Sequence, residues 1–120
     1  MTASERYPKA RRLTRTTEIR RLLAEGRRRR TGHLDMIWAD NSAGHPRLGL
    51  IVPKHRQTGV ARNRLRRRLR EIWRREVQPR QPAWDLLIRA RREAYEASFA
   101  TLRGEVLAWA SAVLPPVSAP

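Results

Sequence analysis

The chain has 120 residues, 40% of them hydrophobic and 32% charged, with 27 Lys+Arg against 11 Asp+Glu for a net charge of +16 and no cysteine. That length suits one domain with a modest core; the missing thiols exclude disulfides, thiolate metal sites and cysteine nucleophiles, and no apolar run approaches the ~18 residues of a membrane span. So much positive charge repels itself in a compact fold and points to a polyanion, nucleic acid rather than a membrane, because no basic amphipathic stretch lies free of the predicted domain.

Residues 1–11 form a basic, polar arm without the apolar stretch of a secretory signal. Only Lys9 and Lys54 are lysine, so nearly all the positive charge is guanidinium, which grips phosphate bidentately, stacks on bases and keeps its charge. Thr16 or Thr17 can cap a short helix that Gly26 ends, with Glu18 in its first turn and Ile19, Leu22 and Leu23 as an i, i+3, i+4 stripe. The run Arg27–Arg30 reads as a solvated loop or an edge strand.

Residues 34–38 (LDMIW) read as a strand and residues 41–46 (NSAGHP) as turn chemistry. Residues 47–52 (RLGLIV) alternate, with Leu48, Leu50 and Val52 on one face and Arg47, Gly49 and Ile51 on the other. An antiparallel hairpin is the simplest pairing of these two strands. Pro53 ends the second, and a basic loop runs from residue 54 to 59. A helix is predicted over residues 60–77, a break at 78–82 (QPRQP), a strand at 84–90 (WDLLIRA) and a helix from about 93 to 114. That last helix carries Phe99, Leu102, Val106, Trp109, Ala110 and Val113 at helical spacing; Gly104 costs it ~1 kcal/mol relative to Ala. Residues 115–120 form a proline-rich tail, leaving a single α+β domain over 12–114.

The helix over 60–77 is the informative element. At 100° per residue, Leu65, Leu69, Ile72 and Trp73 fall in one arc of about 100°, the width of a stripe that packs on a sheet. Asn63, Arg66, Arg67, Arg70 and Arg74 share the flank roughly opposite, and Arg64, Arg68 and Arg75 lie on the other. Like charges at i,i+4 destabilise a helix by a few tenths of a kcal/mol per pair. Arg66/Arg70, Arg70/Arg74 and Arg64/Arg68 all incur this, and Glu71 and Glu76 offset little of it. A helix needing only solubility would mix signs; this one expects its negative charge from a partner. Asn63 either caps the start of the helix or offers its amide to a sugar hydroxyl or base edge.

Residues 60–71 (VARNRLRRRLRE) resemble the RNR motif of the bacterial ribonuclease P protein subunit. The surroundings fit in the same order, with Arg12-Leu13 before the first helix, residues 47–52 as the strand leading into the basic loop, and residues 85–88 (DLLI) as the strand after the motif. The resemblance spans about residues 12–112. It implies an α–β sandwich of about four mostly antiparallel strands and three helices, ribosomal protein S5 domain 2-like, with a left-handed crossover around the RNR helix. It also implies a role in a ribonucleoprotein that removes the 5′ leader from precursor tRNA in the bacterial cytoplasm, with an RNA subunit that carries the catalytic centre and holds most of the Mg²⁺.

Carried over residue by residue, the resemblance assigns Arg62, Asn63, Arg64, Arg66, Arg67, Arg70 and Arg74 to the catalytic RNA. A cleft for the single-stranded leader is assigned to Arg12, Ile19, Leu23, Ile37, Lys54 and His55. His55 stands where the family usually has lysine and is charged only part of the time at neutral pH. Ile19 and Leu23 hold places usually taken by phenylalanine, and Ile37 a place often aromatic. None can stack as a ring does, a contact worth ~1–3 kcal/mol per base; Trp38 would compensate if its strand exposed it. Neither a membrane nor DNA is expected as a partner.

Two other classes fit less well. His33, His45 and His55 are scattered, without paired carboxylates, a metal-ligand motif or a glycine-rich phosphate loop, so catalysis by the protein's own side chains lacks a site. A ribosomal-type RNA binder or a DNA binder would share the composition, since phosphate contacts carry no sequence information. A DNA binder would want a zipper or a helix-turn-helix.

Overall fold

The structure is a computed structural model describing residues 9–116. Strands with apolar residues on both faces need cover on both faces, and that requirement builds this fold. Four strands, β1 (Arg27–Arg30), β2 (Leu34–Asp40), β3 (Arg47–Ile51) and β4 (Trp84–Ala90), form one sheet in the order β1-β2-β4-β3. β1/β2 and β2/β4 pair antiparallel, β3/β4 parallel. Helix α1 (Thr16–Glu25) packs on one face, and α2 (Gly59–Ile72) and α3 (Phe99–Val113) pack on the other. The expected sandwich of four mostly antiparallel strands and three helices is what the chain forms.

The two faces follow the alternation along each strand. Leu34, Met36, Trp38, Leu48, Leu86 and Ile88 point to α2 and α3, joining Leu65, Leu69, Ile72, Trp73, Leu102, Val106 and Trp109 in the main core. The intervening Ile37 and Leu87 join Leu13 and Leu22 in a smaller core beneath α1, with Ile19, Leu23 and Ile51 at its margin.

The predicted hairpin between β2 and β3 does not form; β4 lies between them. Leu86, Leu87 and Ile88 of β4 are fully buried, and a strand buried on both faces belongs at the centre of a sheet. The polar connection 41–46 arches over the start of β4 instead. Asn41 donates its backbone N–H to the Ala83 carbonyl (2.9 Å) and its side-chain amide to Asp85 Oδ1 (2.9 Å) and the His45 carbonyl (3.1 Å). β1, the run Arg27–Arg30, is an exposed edge strand, one of the two readings of that run.

Two helix boundaries differ from expectation. α1 begins at Thr16 with Arg15 at the N-cap and no side-chain cap, so neither Thr16 nor Thr17 caps it. Gly26 does end it, in extended backbone, and is needed for space: a Cβ there would lie 2.6 Å from the Leu22 carbonyl oxygen and 2.9 Å from Ile37 Cγ2. The last helix divides, a 3-10 turn at Arg92–Glu96 giving way to α3, whose N-cap Ser98 accepts from the Thr101 N–H. Phe99, expected on the apolar stripe, is therefore in the first turn and exposed.

Residues 1–8 of the expected arm and 117–120 of the expected tail lie outside the described residues. Lys9–Arg11 forms a 3-10 turn, and the Leu13 N–H donates to the Leu48 carbonyl (2.9 Å). Among the described residues no helix is long and apolar enough to cross a membrane.

Candidate nucleic-acid interface

α2 is anchored at its start and clamped along one side. Thr58 caps it, its hydroxyl accepting from the Ala61 N–H, and Arg62 Nε donates to the Val52 carbonyl at 2.7 Å, tying the first turn to the end of β3. Leu65, Leu69, Ile72 and Trp73 are all buried, as the helix phase predicts. Past Ile72 the helix widens into a π-turn over Trp73–Val77, where Trp73 Nε1 donates to Gln81 Oε1 at 2.8 Å and Gln81 Nε2 bonds the Trp84 carbonyl at 2.9 Å. This lock fixes which residues α2 turns outward.

Arg62, Asn63, Arg64 and Arg67 are exposed, and Arg66, Arg70 and Arg74 are half-buried. Asn63 lies in the second turn and caps nothing, because the helix starts four residues earlier under Thr58. Its amide makes no hydrogen bond among the described residues. Val60, one turn before Arg64, is exposed beside it. Arg74 donates to both oxygens of Glu71 (2.7 and 3.2 Å), and Arg75 bonds the same carboxylate. Those bonds, Arg74 first, hold Glu71 below the usual carboxylate range against the opposing effect of burial. The charge of Arg74 is thus matched within the protein, unlike that of Arg67.

The residues assigned to a leader cleft divide between the α1 face of the sheet and the loop after β3. Ile19 and Leu23 are half-buried on the underside of α1. Ile37 has no exposed surface; Leu22 and Gly26 close over it, so it is core and cannot touch a ligand. Trp38 does not compensate for the missing rings, since it faces the main core edge-on to Trp109 (centroids 5.4 Å apart). Arg12 is exposed and bridges to Leu48. Lys54 and His55 project from the loop after β3, where His55 and Arg56 adopt φ of 45° and 65°, a left-handed conformation uncommon outside glycine. The Gln57 N–H to Lys54 carbonyl bond (2.7 Å) and the edge-on packing of His55 against Tyr95 hold that turn. Arg62, Lys54 and His55 therefore meet at the end of β3, whereas Ile19, Leu23 and Ile37 lie across the sheet from α2.

Several basic residues that composition could not rank turn out to be committed. Arg47 grips Asp85 with two bonds (2.7 and 2.9 Å) and reaches Glu18 on α1 at 3.0 Å, which raises its pKa further above the usual arginine value. Asp35, buried in β2, accepts from Arg30, Arg89 and Arg91. Burial pushes its carboxyl up, but the bonds and charges of Arg91 and Arg89 outweigh this and hold it below the usual range. Arg91 further caps the carbonyls of Thr31, Gly32 and Leu34 at 2.6–2.9 Å. The available signal was a lone acid inside the apolar run of β2, with arginines on its neighbours.

Comparison with known proteins identifies the family and the fold. A family model described as Ribonuclease P matches residues 7–113. The ribonuclease P protein component of Syntrophobacter fumaroxidans is 37% identical over 110 residues, 90% of this chain and 92% of the relative; that of Aliivibrio salmonicida is 35% identical over 88 residues, 72% of this chain and 74% of the relative. Among solved structures, the RNase P protein of Staphylococcus aureus superposes with a TM-score of 0.79 over 89% of this chain and 100% of its own, at 22% identity. That of Thermotoga maritima gives 0.75 over 85% and 96%, at 24% identity. At such identities these two likenesses speak for the fold alone.

Proposed function

The chain belongs to the ribonuclease P protein family, and on that footing we propose that its exposed α2 flank binds the RNA subunit of the enzyme while the α1 side of the sheet receives the 5′ leader of precursor tRNA. The protein is a component of an endoribonuclease complex that matures tRNA. In this reading the catalytic centre lies in the RNA, and the protein's residues bind and position. One observation carries the proposal: α2 buries Leu65, Leu69 and Ile72 and turns a guanidinium flank outward with Glu71 as its single acid. Such a flank repels itself at a few tenths of a kcal/mol per like-charged pair, and a polyanion relieves that repulsion.

The histidines fit a binding role. His33 is held by Glu105 on α3, His45 Nδ1 lies against the Pro46 carbonyl, and His55 sits in the strained basic loop. Mg²⁺ enters as an ion held mainly by RNA. Among the described residues no three His, Cys, Asp or Glu side chains converge as ligands, and no step is routed through an ion on the protein.

Single-turnover cleavage of precursor tRNA by a bacterial catalytic RNA at low Mg²⁺, with and without this protein, tests the reading. Acceleration confined mainly to a long leader, compared with a one-nucleotide leader, is expected. Equal stimulation of both would remove the leader role. No stimulation with RNA binding intact would leave a general RNA binder of ribosomal type.

A further inference from the structure

The outer margin of the α1 face carries an arginine set that neither α2 nor the core uses. In the register of the sheet, Arg30 of β1, Asp35 of β2 and Arg89 of β4 are directly opposite one another and form one row on one face. Each arginine donates its Nε to Asp35, at 3.2 Å to Oδ1 and 3.2 Å to Oδ2 respectively. Arg91 fills the remaining place on Oδ1 at 2.8 Å, with its other donors on backbone carbonyls. Arg91 is therefore a positioning residue, with both of its Nη groups used. Arg30 and Arg89 are not, since their terminal Nη groups have no partner among the described residues and their side chains are 72% and 35% exposed. Two sheet spacings separate their backbones, roughly 10 Å.

We infer that Arg30 and Arg89, held apart and oriented by Asp35, clamp a backbone phosphate of single-stranded RNA on the α1 face of the sheet. The inference rests on the leader reading above and gives it a ligand group: charge where the margin of the cleft offers Ile19 and Leu23 but no ring. Three arginines around one carboxylate leave an excess of two positive charges. If Asp35 served only to staple the strands, Arg91 alone would match its charge. Binding Asp35 through Nε leaves the Nη pair of each guanidinium facing outward as a donor fork, the geometry that grips phosphate bidentately. The β1 run supplies its own control, because Arg27 and Arg29 lie opposite Trp38 and Met36 and so face the other side of the sheet.

Fluorescence anisotropy with an unstructured ten-nucleotide RNA tests this. Arg30→Gln/Arg89→Gln should weaken binding about ten-fold and flatten the dependence of log affinity on log salt by ~0.7 for the phosphate lost. Arg27→Gln/Arg29→Gln, equal in charge removed, should change affinity less than two-fold. On an oligomer with uncharged methylphosphonate linkages, wild type and Arg30→Gln/Arg89→Gln should bind alike. Equal losses from the two double variants, no loss from Arg30→Gln/Arg89→Gln, or no binding of the ten-nucleotide RNA by wild type would overturn the inference. Should the double variant melt early, Arg30→Gln alone decides, since Arg89 and Arg91 still satisfy Asp35; a loss near three-fold is expected, and none would overturn the inference. Cleavage by the wild type decides the leader role separately: acceleration of long-leader substrate that the double variant matches would remove the clamp and leave the function standing.

Discussion

Arg62 and Arg67 both sit on the exposed side of α2, but they are held differently. Arg62 is tied through Nε to the Val52 carbonyl, so its truncation loosens the start of the helix as well as removing charge. Arg67 is exposed and clear of the buried Leu65/Leu69/Ile72 stripe, which makes it the cleaner probe. Arg67→Ala should weaken binding to the catalytic RNA about ten-fold, the scale of one charge-assisted hydrogen bond at ~1.5 kcal/mol. The melting temperature should stay put, as for most surface substitutions. Filter binding beside a thermal melt reads both, and unchanged affinity in a folded variant would dissociate this flank from RNA. At this scale the sequence told arginine from leucine, not one arginine from another. Arg47, Arg74 and Arg91 are occupied by Asp85, Glu71 and Asp35, and only tertiary pairing reveals it.

Among the elements, α2 was the most legible because four apolar residues at 3.6-residue spacing admit one buried face. Leu69→Arg should unfold the protein, placing an unpaired charge where Leu69 has no exposed surface; a loss above ~4 kcal/mol is expected, and a native melting curve would show the stripe is not core. β2, β3 and β4 were legible as strands, β4 to the residue, yet their partners were not. Local alternation says which residues share a face and nothing about which strand lies alongside, so the turn-like 41–46 segment suggested a hairpin where β4 intervenes. Ile37 was misplaced for a different reason: the family resemblance assigned it to the leader cleft, but the close seat of Gly26 that seals it depends on where α1 lands.

For the whole molecule, two carboxylates join elements far apart in the chain. Glu105 on α3 accepts from the Thr31 hydroxyl, the His33 backbone N–H (2.8 Å) and the His33 ring, holding the β1–β2 turn, while Asp35 binds arginines from three segments. Burial raises the Glu105 carboxyl, and the bonds from Thr31 and His33 outweigh it, so both Glu105 and Asp35 titrate below their ordinary values. A folded-state pKa below the unfolded one adds stability that is fully present above the unfolded value, ~4, and is lost as pH falls through the folded value. Thermal melts should therefore be level from about pH 7 to 5 and fall below about pH 4. The decline should be shallower in Glu105→Gln, though that variant starts lower at pH 7; an identical acid slope would mean this carboxylate does not govern the transition.

The strand order has a consequence for how the chain is made. Among the described residues β4 is the last strand synthesised, yet it is the only strand partner of β3 and the inner neighbour of β2. Until residues 84–90 leave the ribosome, β3 has no strand to pair with, and α2 emerges with its arginines exposed and no completed sheet to bury its leucines. Pairings so distant in sequence close slowly. The four-stranded sheet therefore cannot close before β4 is made, and until then the nascent chain presents its cationic α2 segment beside the ribosome's own RNA.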